Sequence, residues 1–131
     1  MENILVDTDI LIDYTKGKSV GLKQLLQKQI AGKVKLFINP VIISEFFTDK
    51  SLNDKSKFRW ALEFISNFSV TEINKKIGIL SGEFRRIKAV DYIADALIAA
   101  TCLENNFILA TRNKKHFSKI KNLKIISHLT S

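Results

Sequence analysis

The run Asp95-Ala-Leu-Ile-Ala-Ala-Thr-Cys-Leu-Glu104, followed by Phe107-Ile-Leu-Ala-Thr-Arg-Asn113, reads as an apolar helix feeding a buried strand. The helix carries an acid one turn from its start. The strand covers Phe107 to Ala110 and ends on Thr111-Arg112-Asn113. At the other end of the chain, Ile4-Leu5-Val6 is a second short, partly β-branched run, and Asp7 stands at its carboxyl end. Between these two ends, strands and helices alternate. A short helix is expected over Ile10 to Tyr14 and a turn at Lys16-Gly17-Lys18. Val20, Leu22, Leu25, Leu26 and Ile30 have helical spacing, with Gly32 suited to the stop. Val34 to Ile38 reads as a strand. Asn39-Pro40 opens the next helix as N-cap and first residue, and that helix carries Ser44-Glu45-Phe46-Phe47. Asp54 can cap a helix with Phe58, Ala61, Leu62, Phe64, Ile65 and Phe68 on its apolar face. Val70 to Ile73 is a short strand, Lys75 to Arg86 a helix with Ile77, Ile79, Leu80 and Phe84, and Lys124 to Ile126 a last strand. Asp91 is expected to cap or open the helix that runs through Glu104. Such alternation predicts a three-layer α/β/α sandwich around a central parallel sheet, as a single domain over residues 1–131.

Composition agrees with one globular domain. The chain has 131 residues, 46% hydrophobic and 26% charged, with one Pro and five Gly, which leaves no room for a long flexible linker. Lys and Arg number 21 against 13 Asp and Glu, a net charge of +8. That excess fits a polyanionic partner and equally fits solubility. Cys102 is the only cysteine and sits in an apolar segment, so it is read as a buried small hydrophobe rather than a redox centre. No apolar run approaches the roughly 18 residues of a membrane span. Met1 to Asp7 lacks the pattern of a signal peptide, so a cytoplasmic protein is expected.

The acidic residues carry the chemistry. In an open parallel sheet, ligands collect outside the carboxyl ends of the strands. Asp7 and Thr111 should both open onto that end. Glu45 lies about two turns into the Pro40 helix, and Asp95 is embedded in apolar neighbours, where a bare carboxylate is costly unless something compensates it. Carboxylates without a Cys or His partner make a hard oxygen site, which selects Mg²⁺ or Mn²⁺ over Zn²⁺. Close carboxylates repel, so without metal at least one should titrate above its ordinary value. Plainer roles exist for each: Asp7 as a helix cap, Glu45 as a solvated residue, Asp91 as an N-cap, Asp9 and Asp13 on exposed faces. The two histidines, His116 and His128, come late in the chain. A haloacid-dehalogenase-like phosphatase would use Asp7 and Asp9, but Ile10-Leu11 stand where it has a Gly-Thr-like pair. A receiver-type domain needs an acid after the second strand, where Asn39-Pro40 stands.

Asn3 to Asp13, Val41 to Phe46, Asp95 to Glu104 and Phe107 to Phe117 together resemble the acidic segments of PIN-domain proteins, and the compact size is similar to that of the VapC toxins of type II toxin–antitoxin systems. The resemblance implies a pocket holding Mg²⁺ or Mn²⁺ and hydrolysis of RNA phosphodiester bonds. It makes Asp7, Glu45 and Asp95 the catalytic and metal-binding set, with Thr8, Thr111 and Asn113 supporting the pocket. It also implies a small antitoxin partner and a homodimer, for which Phe46, Phe47, Phe58, Trp60 and Phe64 offer aromatic surface. Arg112, Lys114 and Lys115 are the expected RNA-binding cations, in a basic run that continues through Lys119, Lys121 and Lys124. Lys75, Lys76, Arg85, Arg86 and Lys88 precede the Asp95 helix. In the fourth acidic segment many relatives carry an acid where Asn113 or His116 stands here. That departure leaves a catalytically impaired RNA-binding module as the alternative.

Overall fold

A computed structural model describes residues 1–126. Strand β1 (Glu2–Val6) lies at the centre of a five-stranded sheet of order β3-β2-β1-β4-β5, formed with β2 (Val34–Ile38), β3 (Ser69–Val70), β4 (Ile108–Ala110) and β5 (Ile125–Ile126). Every pairing is parallel, and Ile4 sits beside Leu36 on one side and Ile108 on the other. Ile4, Leu5 and Val6 are consecutive and all fully buried. Successive strand residues point to opposite faces, so both faces of the sheet are covered, and the three-layer arrangement follows. The flanking helices are α1 (Thr8–Thr15), α2 (Val20–Ile30), α3 (Pro40–Phe46), α4 (Lys55–Ile65), α5 (Lys75–Arg86) and α6 (Ile93–Asn105).

Local chemistry explains most boundaries. The side-chain oxygens of Ser19, Asn39, Asp54 and Asn74 each accept a hydrogen bond from the backbone N–H three residues on, capping α2, α3, α4 and α5. Pro40 follows its cap at the first helical position. Asn39 does more than cap. It is fully buried, its Oδ1 accepts from Ile42 N at 2.9 Å, and its amide donates to Thr101 Oγ1 at 3.0 Å. This bond ties the start of α3 to the middle of α6, so the helices bearing Glu45 and Asp95 share one fixed joint.

Several boundaries differ from the sequence reading. Helix α1 starts at Thr8, because Asp7 is extended and its carboxylate takes the Thr8 N–H at 2.7 Å. Strand β3 is limited to Ser69–Val70; after Thr71 N donates to Ile38 O, the chain leaves the sheet for the Asn74 cap. Asp91 caps nothing. Tyr92 occupies the extended N-cap position of α6 without a side-chain cap, and Asp91 is exposed ahead of it. Asp13 is buried rather than on an open face, and Asp9 is half-buried. Cys102 is a buried free thiol, and burial pushes its ionisation up. His128 lies outside the described residues. Among those residues, no helix is long and apolar enough to cross a membrane.

Candidate active site

The strand order turns back between β1 and β4, and the chain leaves both strands on the same side. Asp7 and Thr111 are the first residues past these two strands. Asp7 N donates to Ala110 O at 2.9 Å, and Thr111 Oγ1 donates to Asp7 Oδ2 at 2.8 Å. Asn113 N then closes on Thr111 Oγ1 at 3.0 Å. Asp7 thus has both carboxylate oxygens held by neutral donors, in a position only 5% exposed.

Helix α1 begins immediately after Asp7 and brings Thr8 to α3. The Thr8 hydroxyl donates to Glu45 Oε1 at 2.8 Å, anchoring an otherwise exposed glutamate at the site. Helix α6 contributes Asp95 in its first turn, where the helix dipole favours an anion. Its Oδ2 lies 3.1 Å from His116 Nδ1, on the short 3-10 turn Lys114–Phe117. These groups line an open cavity of about 670 Å³ that includes Asp7, Thr8, Glu45, Asp95, Asn113 and His116. Asp9 lines it too.

The electrostatics follow from placing acids where water is scarce. Burial pushes the Asp7 carboxyl up to about 7; the Asp9 charge adds to the rise, while the Thr111 and Thr8 hydrogen bonds oppose it. Burial also raises Asp95, against the His116 contact, which lowers it. Asp9 is raised by burial as well, in spite of the Arg112 N–H that donates to it at 3.2 Å. The expected upward titration is present, but desolvation leads it and repulsion is secondary.

Three contacts escape the sequence reading. His116 against Asp95 joins residues on separate elements, and no spacing rule reveals it. Arg112 is read from sequence as an RNA-holding cation, yet its Nη1 lies 2.8 Å from both carboxylate oxygens of the buried Asp13. That pair neutralises the guanidinium and clamps the post-β4 loop to α1. The Asn39–Thr101 joint is the third. Lys114 and Lys115 are exposed beside the site.

As the side chains stand, each acid has a partner in the protein, and among the described residues no three acidic, imidazole or thiol groups converge to hold one ion. The donor chemistry nevertheless fits a hard divalent cation. A deeply buried carboxyl forced toward protonation, facing two further carboxylates across an open cavity, is the arrangement a cation relieves.

A family model described as PIN domain matches residues 4–123. Ribonuclease VapC1 of Methanocaldococcus jannaschii is 30% identical over 122 residues, covering 90% of this chain and 81% of that protein. Ribonuclease VapC1 of Rickettsia felis is 22% identical, with 95% of each chain covered. Among solved structures, a toxin–antitoxin complex from Klebsiella pneumoniae superposes with a TM-score of 0.75 at 26% identity, covering 94% of this chain and 95% of that one. A DNA-bound VapBC from Salmonella typhimurium gives 0.78 at 20% identity over 96% and 98% of the two chains, a likeness of fold. With the parallel sheet, the acids at its carboxyl edge and a family match across nearly its whole length, the chain belongs to the PIN domain family.

Proposed function

We propose that this protein is a metal-dependent endoribonuclease acting as the toxin of a toxin–antitoxin pair. The observation that carries the reading is the meeting of Asp7, Glu45 and Asp95, from three separate elements, in one open cavity at the switch point of the sheet. The names of its relatives, ribonucleases and toxin–antitoxin complexes, support the substrate class and the biological role. Asp7 and Asp95 would hold a Mg²⁺ or Mn²⁺ ion, with Glu45 completing the set. When bound, such an ion supplies Lewis-acid stabilisation of a phosphodiester and a more acidic water.

The chain's own residues prepare the rest. Thr8 and Thr111 orient the carboxylates of Glu45 and Asp7. Glu45, exposed at the cavity wall, is placed to accept a proton from the attacking water. Asn113 presents an amide where a further acid would add repulsion. Arg112, held by Asp13, positions the loop that carries Thr111 and Asn113, and Lys114 and Lys115 supply free cations for the RNA backbone.

A cavity of about 330 Å³, in which Ile12, Phe46, Leu52 and Trp60 stand beside Lys16, Asp49 and Lys57, shares Ile12, Glu45 and Thr48 with the acidic one. Trp60 of α4 is more than 40% exposed at its wall, and Phe58 and Leu62, exposed to a similar degree, line a separate recess that shares Leu52 with it. A small antitoxin seated there would reach the acids directly. Phe64 is buried, and Phe46 reaches the surface only as a small part of that cavity's lining, so the aromatic surface is smaller than the sequence implies. A homodimer is proposed on kinship alone.

The test is cleavage of total RNA with Mn²⁺ or with EDTA, for the wild type, Asp7→Asn and Asp95→Asn. Metal-dependent cleavage lost in both variants supports the site; full activity in either variant refutes it. The commitment of every acid to a protein partner favours one competing reading, RNA binding without catalysis. Binding with no cleavage at any Mn²⁺ concentration would establish that reading instead.

A further inference from the structure

Beside the acidic cavity lies a smaller one of about 200 Å³, walled by Lys88, Lys115, Lys119 and Asp91, and sharing Tyr92, Asp95 and His116 with its neighbour. Three lysines face two aspartates, and one of those, Asp95, is already matched by His116. Among the described residues, no ion pair engages any of the three lysines. The cavity is therefore a net cationic recess one step from the acids, large enough to admit a phosphate group, and its charge favours an anion.

The backbone at Lys88 gives independent support. Helix α5 ends in a Schellman motif: Ala89 N donates to Phe84 O at 2.8 Å, and Lys88 N to Arg85 O at 3.0 Å. The residue that turns the chain there must take the left-handed conformation, a place glycine usually fills. Lys88 has a φ of 58°. The other described residues with positive φ are Gly17, Gly32, Asn106 and Asn122, all types that tolerate it. A lysine where glycine is easier puts backbone strain beside a charged recess, an association found at binding sites.

We infer that the Lys88–Lys115–Lys119 recess is a subsite for the RNA backbone phosphate adjacent to the scissile one. This rests on the reading of the chain as a nuclease of RNA. A strand whose scissile phosphodiester sits over Asp7 and Asp95 would place its next phosphate past His116 and Tyr92, in the recess. Seating that phosphate fixes the register of the strand against the acids.

The experiment measures binding of a short fluorescein-labelled single-stranded RNA in EDTA, as a function of salt, together with thermal unfolding. Lys88→Gly removes the charge and the strain together. Its unfolding midpoint should rise by about 2–4 °C, its RNA affinity should fall by roughly three- to tenfold, and the salt slope should shrink by about 0.7. Lys88→Arg keeps the charge and should keep both affinity and slope. Lys33→Ala, at the amino end of the sheet, should change neither. A purely structural Lys88 would leave affinity and slope untouched in Lys88→Gly, and that result overturns the subsite while the nuclease reading stands. Absence of salt-dependent RNA binding by the wild type would overturn both.

Discussion

Replacing Asp7 with Asn should make the metal-free protein more stable at alkaline pH while abolishing its catalysis. The carboxyl is 5% exposed, and burial raises it from 3.8 to about 7. A folded-state pKa above the unfolded one means that the folded protein binds the proton more tightly. Stability from this group is therefore fully present below the unfolded pKa and is lost as pH rises toward 7. A shift of this size corresponds to roughly 4 kcal/mol at full ionisation, about 3 kcal/mol of it lost between pH 5 and pH 8.5. Asn does not titrate, and its carbonyl oxygen can still accept from Thr8 N, while Thr111 Oγ1 can accept from its amide. Urea unfolding in EDTA at pH 5 and pH 8.5 should therefore show the variant gaining on the wild type by up to about 3 kcal/mol across the interval. Asp9 and Asp95 titrate in both proteins and largely cancel from the difference. Mn²⁺ at about 100 times its Kd should return ~2.7 kcal/mol to the wild type at pH 8.5 and little to the variant. A difference between the two proteins that does not change with pH would refute the burial argument.

Asn39→Ala removes the α3 cap and the bond to Thr101 together; urea unfolding should register a loss of about 2–3 kcal/mol, and cleavage should fall further than stability because Glu45 and Asp95 lose their common joint. Asn113→Asp adds a carboxylate to the cavity wall. Calorimetry should find Mn²⁺ binding tighter by roughly tenfold, or ~1.4 kcal/mol, while the metal-free variant loses stability at pH 8 through added repulsion with Asp7.

The parts of the fold visible in the sequence are those that local chemistry determines. Ser19, Asn39, Asp54 and Asn74 cap where short polar side chains can reach a free N–H, so α2, α3, α4 and α5 begin where a local rule places them. Ile4, Leu5 and Val6 had to be buried on both faces, and that requirement alone implies helices above and below the sheet. Asp91 shows where the rule fails: a good capping residue stands one position too early, because extended Tyr92 starts the helix and leaves the acid facing the lysine recess. The site divides the same way. Asp7 and Thr111 are legible because strand ends at a switch point define a location, whereas His116 on Asp95 and Arg112 on Asp13 join elements whose approach depends on the packed whole. Those hidden pairs also decide the charge of the site. Arg112 is paired through Nη1 with Asp13, so the cations without an ion pair beside the site, among the described residues, are the lysines of the post-β4 turn and the α5 terminus. Two of those, Lys115 and Lys119, meet Lys88 in a recess that a count of basic residues along the chain does not reveal. The net charge of +8 gives the chain a general pull on a polyanion; only the fold concentrates part of it beside the acids, where attraction becomes register.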